Sequence, residues 1–119
     1  MATQAKTWYN RAIDSQNSGG YPDAITGYKH AIALYPEFPE AWNNLGTAYD
    51  ETGQVADAIE AYRKAIELKP DHRKAWFNLG SAYAKNRQCQ KAEDVLRRLE
   101  KLNRGYAAEL DAYIREHCQ

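Results

Sequence analysis

Trp8, Trp42 and Trp76 stand 34 residues apart, and a chain that returns to the same residues at that interval repeats one small structural unit. Ala24, Ala58 and Ala92 keep the interval, as do Asn10, Asn44 and Asn78. Within each unit the apolar residues step by three and four, as in Trp42, Leu45, Gly46, Tyr49 and again in Val55, Ala58, Ile59, Tyr62, Ala65, Ile66. That spacing marks one face of an α-helix. Gly53 falls between the two runs, where a left-handed residue ends one helix before the next begins. Pro22, Pro39 and Pro70 fall near helix starts or in connections, where a missing amide hydrogen does little harm. Each unit is therefore a helical hairpin. A single hairpin cannot bury both faces, so hairpins stack and share a core.

The middle unit reads PEAWNNLGTAYDETGQVADAIEAYRKAIELKPDH. It resembles a tetratricopeptide repeat, with Trp42, Leu45, Gly46, Tyr49, Ala58, Tyr62, Ala65 and Pro70 on the signature places W-x2-L-G-x2-Y, A-x3-F and P. The third unit keeps Trp76, Leu79, Gly80, Tyr83 and Ala92 but has Arg104 in place of the proline. The first keeps Trp8, Ala24, Tyr28, Ala31 and Pro36, with Arg11, Ala12 and Ser15 where Leu, Gly and Tyr are usual. The expected organisation is a single domain over residues 1–119, with repeats at 5–38, 39–72 and 73–106. A capping helix follows at 107–117, on which Ile114 takes the glycine's place. The resemblance implies an all-α fold, a right-handed α-solenoid of three hairpins and a seventh helix.

Function then belongs to the face the core leaves free. On the first helix of each hairpin, repeat positions 2, 6, 9 and 13 lie opposite the Trp/Leu/Gly/Tyr stripe on the helical wheel. The resemblance implies that these helices line a concave groove for a peptide or partner helix. Its expected residues are Tyr9, Asn10 and Ile13 from the first hairpin; Asn43, Asn44 and Thr47 from the second; and Lys74, Phe77, Asn78 and Ser81 from the third. Asn10, Asn44 and Asn78 form a ladder of carboxamides, each able to pair with the NH and CO of an extended peptide. Replacing Asn44 and Asn78 by Ala is expected to weaken partner binding and leave the melting temperature nearly unchanged. Tyr9, Ile13 and Phe77 are the candidate apolar anchors, read as exposed side chains opposite the core. Some members of the family hold a terminal carboxylate with five Lys, Asn and Arg side chains. This chain supplies Asn44 and Lys74 there, but Tyr9, Ile13 and Asn78 at the other three places, so that clamp is broken.

The formal net charge is zero, yet residues 39–72 carry three basic and seven acidic side chains, net −4, and residues 73–106 carry nine and three, net +6. Such polarity steers a partner of mixed charge or favours head-to-tail contact between copies. Acidic Glu40, Asp50 and Glu51 between the groove aromatics oppose a nucleic-acid partner. His30, His72 and His117 are scattered, with no HExxH, GxSxG or glycine-rich phosphate loop, so neither catalysis, metal nor cofactor is expected. No apolar run reaches the roughly 20 residues of a membrane helix, and no membrane partner is expected. Cys89 and Cys118 are read as unpaired, Cys89 as a small core residue and Cys118 on a fraying chain end, which points to the reducing cytoplasm. Asn86 is expected to take the left-handed turn position beside Arg87. The chain is thus expected to be a non-enzymatic adaptor. Two alternatives are a self-assembling module, whose irregular first helix is a poor core partner, and a regulatory fragment of a larger protein.

Overall fold

The three-and-four spacing of apolar residues produces seven helices, here in a computed structural model that describes residues 3–118. They are α1 (Thr3–Asn17), α2 (Tyr21–Leu34), α3 (Pro39–Glu51), α4 (Val55–Leu68), α5 (Arg73–Lys85), α6 (Cys89–Leu102) and α7 (Arg104–His117). No strand occurs among the described residues. Consecutive helices pair as α1–α2, α3–α4 and α5–α6, and each pair packs on the next. The result is an all-α solenoid, a stack measuring 43 × 26 × 20 Å. The seventh helix starts at Arg104, three residues ahead of the expected cap. Asn103 sets that start, since its Oδ1 accepts from the Tyr106 amide at 2.9 Å while its own amide closes the last turn of α6.

The core runs along the stack because each signature side chain is shared between hairpins. Tyr28 and Tyr62 are fully enclosed, and burying a side chain of this size contributes about 2–3 kcal/mol. Their hydroxyls stay satisfied, Tyr28 donating to Gln16 Oε1 at 2.5 Å and Tyr62 to Thr47 Oγ1 at 3.4 Å. Burial pushes both phenols well above the usual tyrosine range. The tryptophans tie one hairpin to the loop before it. Trp42 Nε1 donates to the Pro36 carbonyl at 3.0 Å and Trp76 Nε1 to the Pro70 carbonyl at 2.7 Å. Where Arg104 replaces the proline, the residue in tryptophan register is Leu110, buried and without an N–H to place.

Small residues permit the closest approaches. A Cβ on Gly46 would lie 2.5 Å from the Tyr62 ring, and one on Gly80 would lie 2.5 Å from Leu110 and 2.9 Å from Val95. The first hairpin exchanges the positions: Ala12 stands in the glycine register of α1 and Gly27 faces it from α2, where a Cβ would meet that of Ala12 at 2.9 Å. Ala5 and Ala12 are fully enclosed, so α1 is a well-packed core partner despite its departures from the signature.

Two local expectations are corrected. Gly53 takes a φ of 79° in the α3–α4 turn, and in the α5–α6 turn it is Arg87, at 64°, that occupies this conformation, not Asn86, at −86°. The hydrogen bonds explain this: Gln88 N must reach Tyr83 O (2.8 Å), as Gln54 N reaches Tyr49 O (2.9 Å), and only a left-handed residue immediately before it delivers that amide. Cys89 and Cys118 are bonded to each other, with Cα atoms 5.8 Å apart, so neither is a free core thiol or a frayed end. The helical hairpin of α6 and α7 brings together residues 29 apart in sequence, and the unpaired-cysteine argument for a reducing compartment falls. No helix among the described residues is long and apolar enough to cross a membrane.

Replacing Arg87 with Gly is expected to raise stability by about 0.5–1 kcal/mol, because the left-handed backbone no longer carries a Cβ. The urea midpoint measures it. Gly46→Ala is expected to lose about 1–3 kcal/mol by the same measurement, since overpacking against the enclosed Tyr62 ring outweighs the gain in helix propensity.

Candidate functional site

The first helices of the hairpins touch one another directly, whereas α2, α4 and α6 pack on first helices instead. Elements that meet on one side of a stack and spread on the other form its inner, concave wall, so α1, α3, α5 and α7 line the groove. The α7 helix takes the place of a fourth first helix: Tyr106 stacks on Phe77 with ring centroids 5.2 Å apart, and Leu110 lies against Gly80.

Neighbouring first helices are joined by a lattice of side-chain bonds between residues 35 apart. Asn44 Nδ2 donates to the Tyr9 hydroxyl at 3.0 Å, and Asn78 Nδ2 donates to Asn43 Oδ1 at 3.0 Å. Lys85 Nζ bridges both oxygens of Asp50 at 2.9 and 3.1 Å. One repeat translates a residue by 34 positions, and one further residue turns a side chain from the stripe above toward the stripe below. The interval is present in the sequence as Tyr9/Asn44, Asn43/Asn78 and Asp50/Lys85.

This lattice changes the standing of several candidates. Asn44 and Asn78 each commit a donor to the preceding helix, while Asn10, on the first helix, is exposed and has no such bond among the described residues. Asn43 is buried, 3% exposed, as the acceptor for Asn78. Thr47 returns a hydrogen bond to the Asn43 carbonyl at 3.3 Å and receives one from Tyr62. Ser81 Oγ is buried with no hydrogen-bond partner in the chain. Lys74 stays exposed at the start of α5.

Tyr9, Ile13 and Phe77 are half-buried, not exposed. Tyr9 packs at a tilt against Phe38 (4.7 Å between centroids), as Phe77 stacks on Tyr106, because Phe38 and Tyr106 hold the same repeat position at the start of the next inner helix. A helical wheel shows one helix and cannot reveal that the next element covers its aromatic. Burial, with the nearby Glu40 carboxylate, raises the Tyr9 phenol above its ordinary range against the opposing bond from Asn44.

Charge follows a similar rule. The contrast between an acidic second and a basic third hairpin is spent in part at Lys85–Asp50, which joins them directly. Burial disfavours the Lys85 ammonium, yet the bond and charge of Asp50 outweigh it and hold its pKa above the usual value. On the outer side Arg97 pairs with Asp94, and Arg98 lies 5.7 Å from the centroid of Trp76. Near Lys74, an open cavity of about 620 Å³ is lined by Lys69, Asp71, His72, Arg73, Asn103 and Tyr106, among others. His72 caps α5 there, its Nδ1 accepting from the Ala75 amide at 3.2 Å. Burial first, then Lys69 and Lys74, hold its pKa below the usual value against the pull of Glu40.

That cap works only while Nδ1 is unprotonated, which gives a pH signature. A histidine with a depressed pKa in the folded chain leaves the unfolded chain binding more protons as the pH drops. Its stabilising contribution is complete above the unfolded value of about 6.5 and is lost as the pH falls toward the lower folded value. The urea midpoint should therefore decrease between pH 7.5 and 5, and His72→Asn, which caps at any pH, should flatten that part of the profile.

Residues 39–72 and 61–94 match family models described as tetratricopeptide repeat, and residues 17–53 match one described as TPR repeat. No curated protein sequence matches the chain. Among solved structures, the TPR2B domain of yeast Sti1, in a complex with pHsp70, superposes with a TM-score of 0.89 at 21% identity, covering 98% of this chain and 97% of that one. The second TPR domain of human RPAP3, with the HSP70 peptide SGPTIEEVD, gives 0.88 at 23% identity, covering 94% and 95%. The Sgt2 TPR domain of Aspergillus fumigatus gives 0.87 at 21% identity, covering 97% and 80%.

Proposed function

The chain belongs to the tetratricopeptide-repeat proteins, and from that premise we propose that it is a non-enzymatic adaptor holding an extended peptide or partner segment in the groove of α1, α3, α5 and α7. The observation that carries this reading is the asparagine lattice. Asn44 and Asn78 use their amide nitrogens to brace the preceding helix, which orients the carboxamides and leaves each Oδ1 to accept from a ligand backbone amide. Asn10 has both ends of its carboxamide to offer. Groove side chains braced in advance lose little entropy on binding.

Sti1 and RPAP3 domains of the same fold are solved with Hsp70 ligands. Of the five side chains with which relatives hold a terminal carboxylate, this chain supplies Asn44 and Lys74. Tyr9 and Asn78 are engaged with Asn44 and Asn43, and Ile13 is apolar. With one cation at those positions, the ligand is anchored through its backbone and not through its C-terminal carboxylate.

Binders selected from a library of extended peptides, titrated calorimetrically, provide the test. Asn10→Ala should weaken binding by about 1 kcal/mol, roughly fivefold, with an unchanged melting temperature. Asn44→Ala and Asn78→Ala should lower both affinity and melting temperature, since each also removes a bond between helices; the expectation of unchanged stability for that pair is thereby revised. Amidating the peptide's C-terminus should alter affinity by less than about twofold, within the small worth of one exposed ion pair. Undiminished binding by all three variants would place the ligand elsewhere.

A further inference from the structure

The two bonded cysteines occupy opposite electrical ends of their helices. Cys89 is the first residue of α6, and Cys118 is the residue that ends α7, its amide donating to the Ile114 carbonyl at 2.7 Å. The first turn of α6 holds Lys91 and no acid, and the last turn of α7 carries the basic side chains Arg115, paired with Asp111, and His117, whose Nδ1 lies 3.0 Å from the Tyr113 carbonyl. A helix N-terminus carries partial positive charge and lowers the pKa of a thiol placed there; a helix C-terminus carries partial negative charge and does the reverse. Both residues are half-buried. From this opposed placement we propose that Cys89–Cys118 is a reversible, directional exchange site for dithiols that latches the end of α7.

The direction follows from the leaving group. A thiolate of the reductant attacks Cys118 Sγ, the Sγ–Sγ bond breaks, and its electron pair leaves on Cys89, whose thiolate the α6 terminus stabilises. The reductant's second thiol then attacks its own sulfur in the mixed disulfide and releases Cys118, which takes up a proton. Two electrons pass to the protein's sulfurs, and the dithiol becomes a cyclic disulfide. Reoxidation retraces the path, with the Cys89 thiolate attacking the mixed disulfide at Cys118.

The structural consequence lies in α7. Its first turn is held by the Asn103 cap and by Tyr106 on Phe77, and its middle by Leu110 against Gly80. Its last turn has buried Ile114 and, just beyond it, the covalent tie from Cys118 to α6. Opening that tie frees the end of the wall that closes the stack.

The oxidised chain, treated with the monothiol glutathione and quenched by N-ethylmaleimide, reports the direction by peptide mass spectrometry. The adduct is expected on Cys118 at least tenfold over Cys89. In the dithiothreitol-reduced chain at pH 7, limiting iodoacetamide should label Cys89 at least tenfold faster than Cys118, and amides of α7 should exchange hydrogen at least tenfold faster while those of α3 and α4 hold. Gln88→Glu, which sets a carboxylate beside the α6 terminus, should slow labelling of Cys89 severalfold, and Cys118→Ser should leave that labelling fast. Equal adducts, equal labelling rates or unchanged α7 exchange on reduction would overturn the proposal.

Discussion

Every part of this molecule depends on the inability of one helical hairpin to bury both of its faces. The excess apolar surface of each pair is absorbed by the next, so stability resides in the joints between neighbours. The joints have specific chemistry: a tryptophan N–H reaches the proline carbonyl of the previous connection, and an asparagine carboxamide donates back to the previous inner helix, to a tyrosine hydroxyl or to another carboxamide. Pro36 and Pro70 thus do more than end a helix. Each presents an acceptor to the unit that follows, and when Arg104 replaces the third proline, the partner indole is absent as well.

The same joints shape the candidate binding face. A groove built from parallel inner helices repeats its side chains at one interval, and the bonds between them use up part of the hydrogen-bonding capacity that a ligand would otherwise find. What remains is ordered by what was used. Asn44 and Asn78 are oriented by their own donors, Phe77 is held flat under Tyr106, and Lys85 is fixed by Asp50. The charge difference between hairpins has a mechanical role in the last of these contacts, beyond any steering of partners.

Much of the candidate site was legible in advance because periodicity assigns faces. The placement of Asn10, Asn44, Asn78 and Lys74 on inner helices required nothing beyond a helical wheel and the repeat interval. The errors arose where a second element intervened. Tyr9 and Phe77 are half-buried because Phe38, just ahead of α3, and Tyr106, in the first turn of α7, pack over them, and a wheel drawn for one helix contains no neighbouring element. Arg87 was passed over for Asn86 on intrinsic preference, whereas the hydrogen bond from Gln88 to Tyr83 dictates which residue turns. The first helix seemed weak because its glycine had become Ala12, and the compensating Gly27 lies on the opposite helix.

By itself the amino-acid sequence determined the unit, its two helices, the stacking and the face left free, since all four follow from hydrophobic spacing and a 34-residue return. Tertiary structure alone decided which polar groups are spent and which cysteines meet. Cys89 and Cys118 lie 29 residues apart, and no local pattern connects them. They meet because α6 and α7 run antiparallel through a one-residue connection at Asn103, bringing the start of one helix to the end of the other. Local periodicity follows from the geometry of one helix, while pairing across elements depends on how the chain closes on itself.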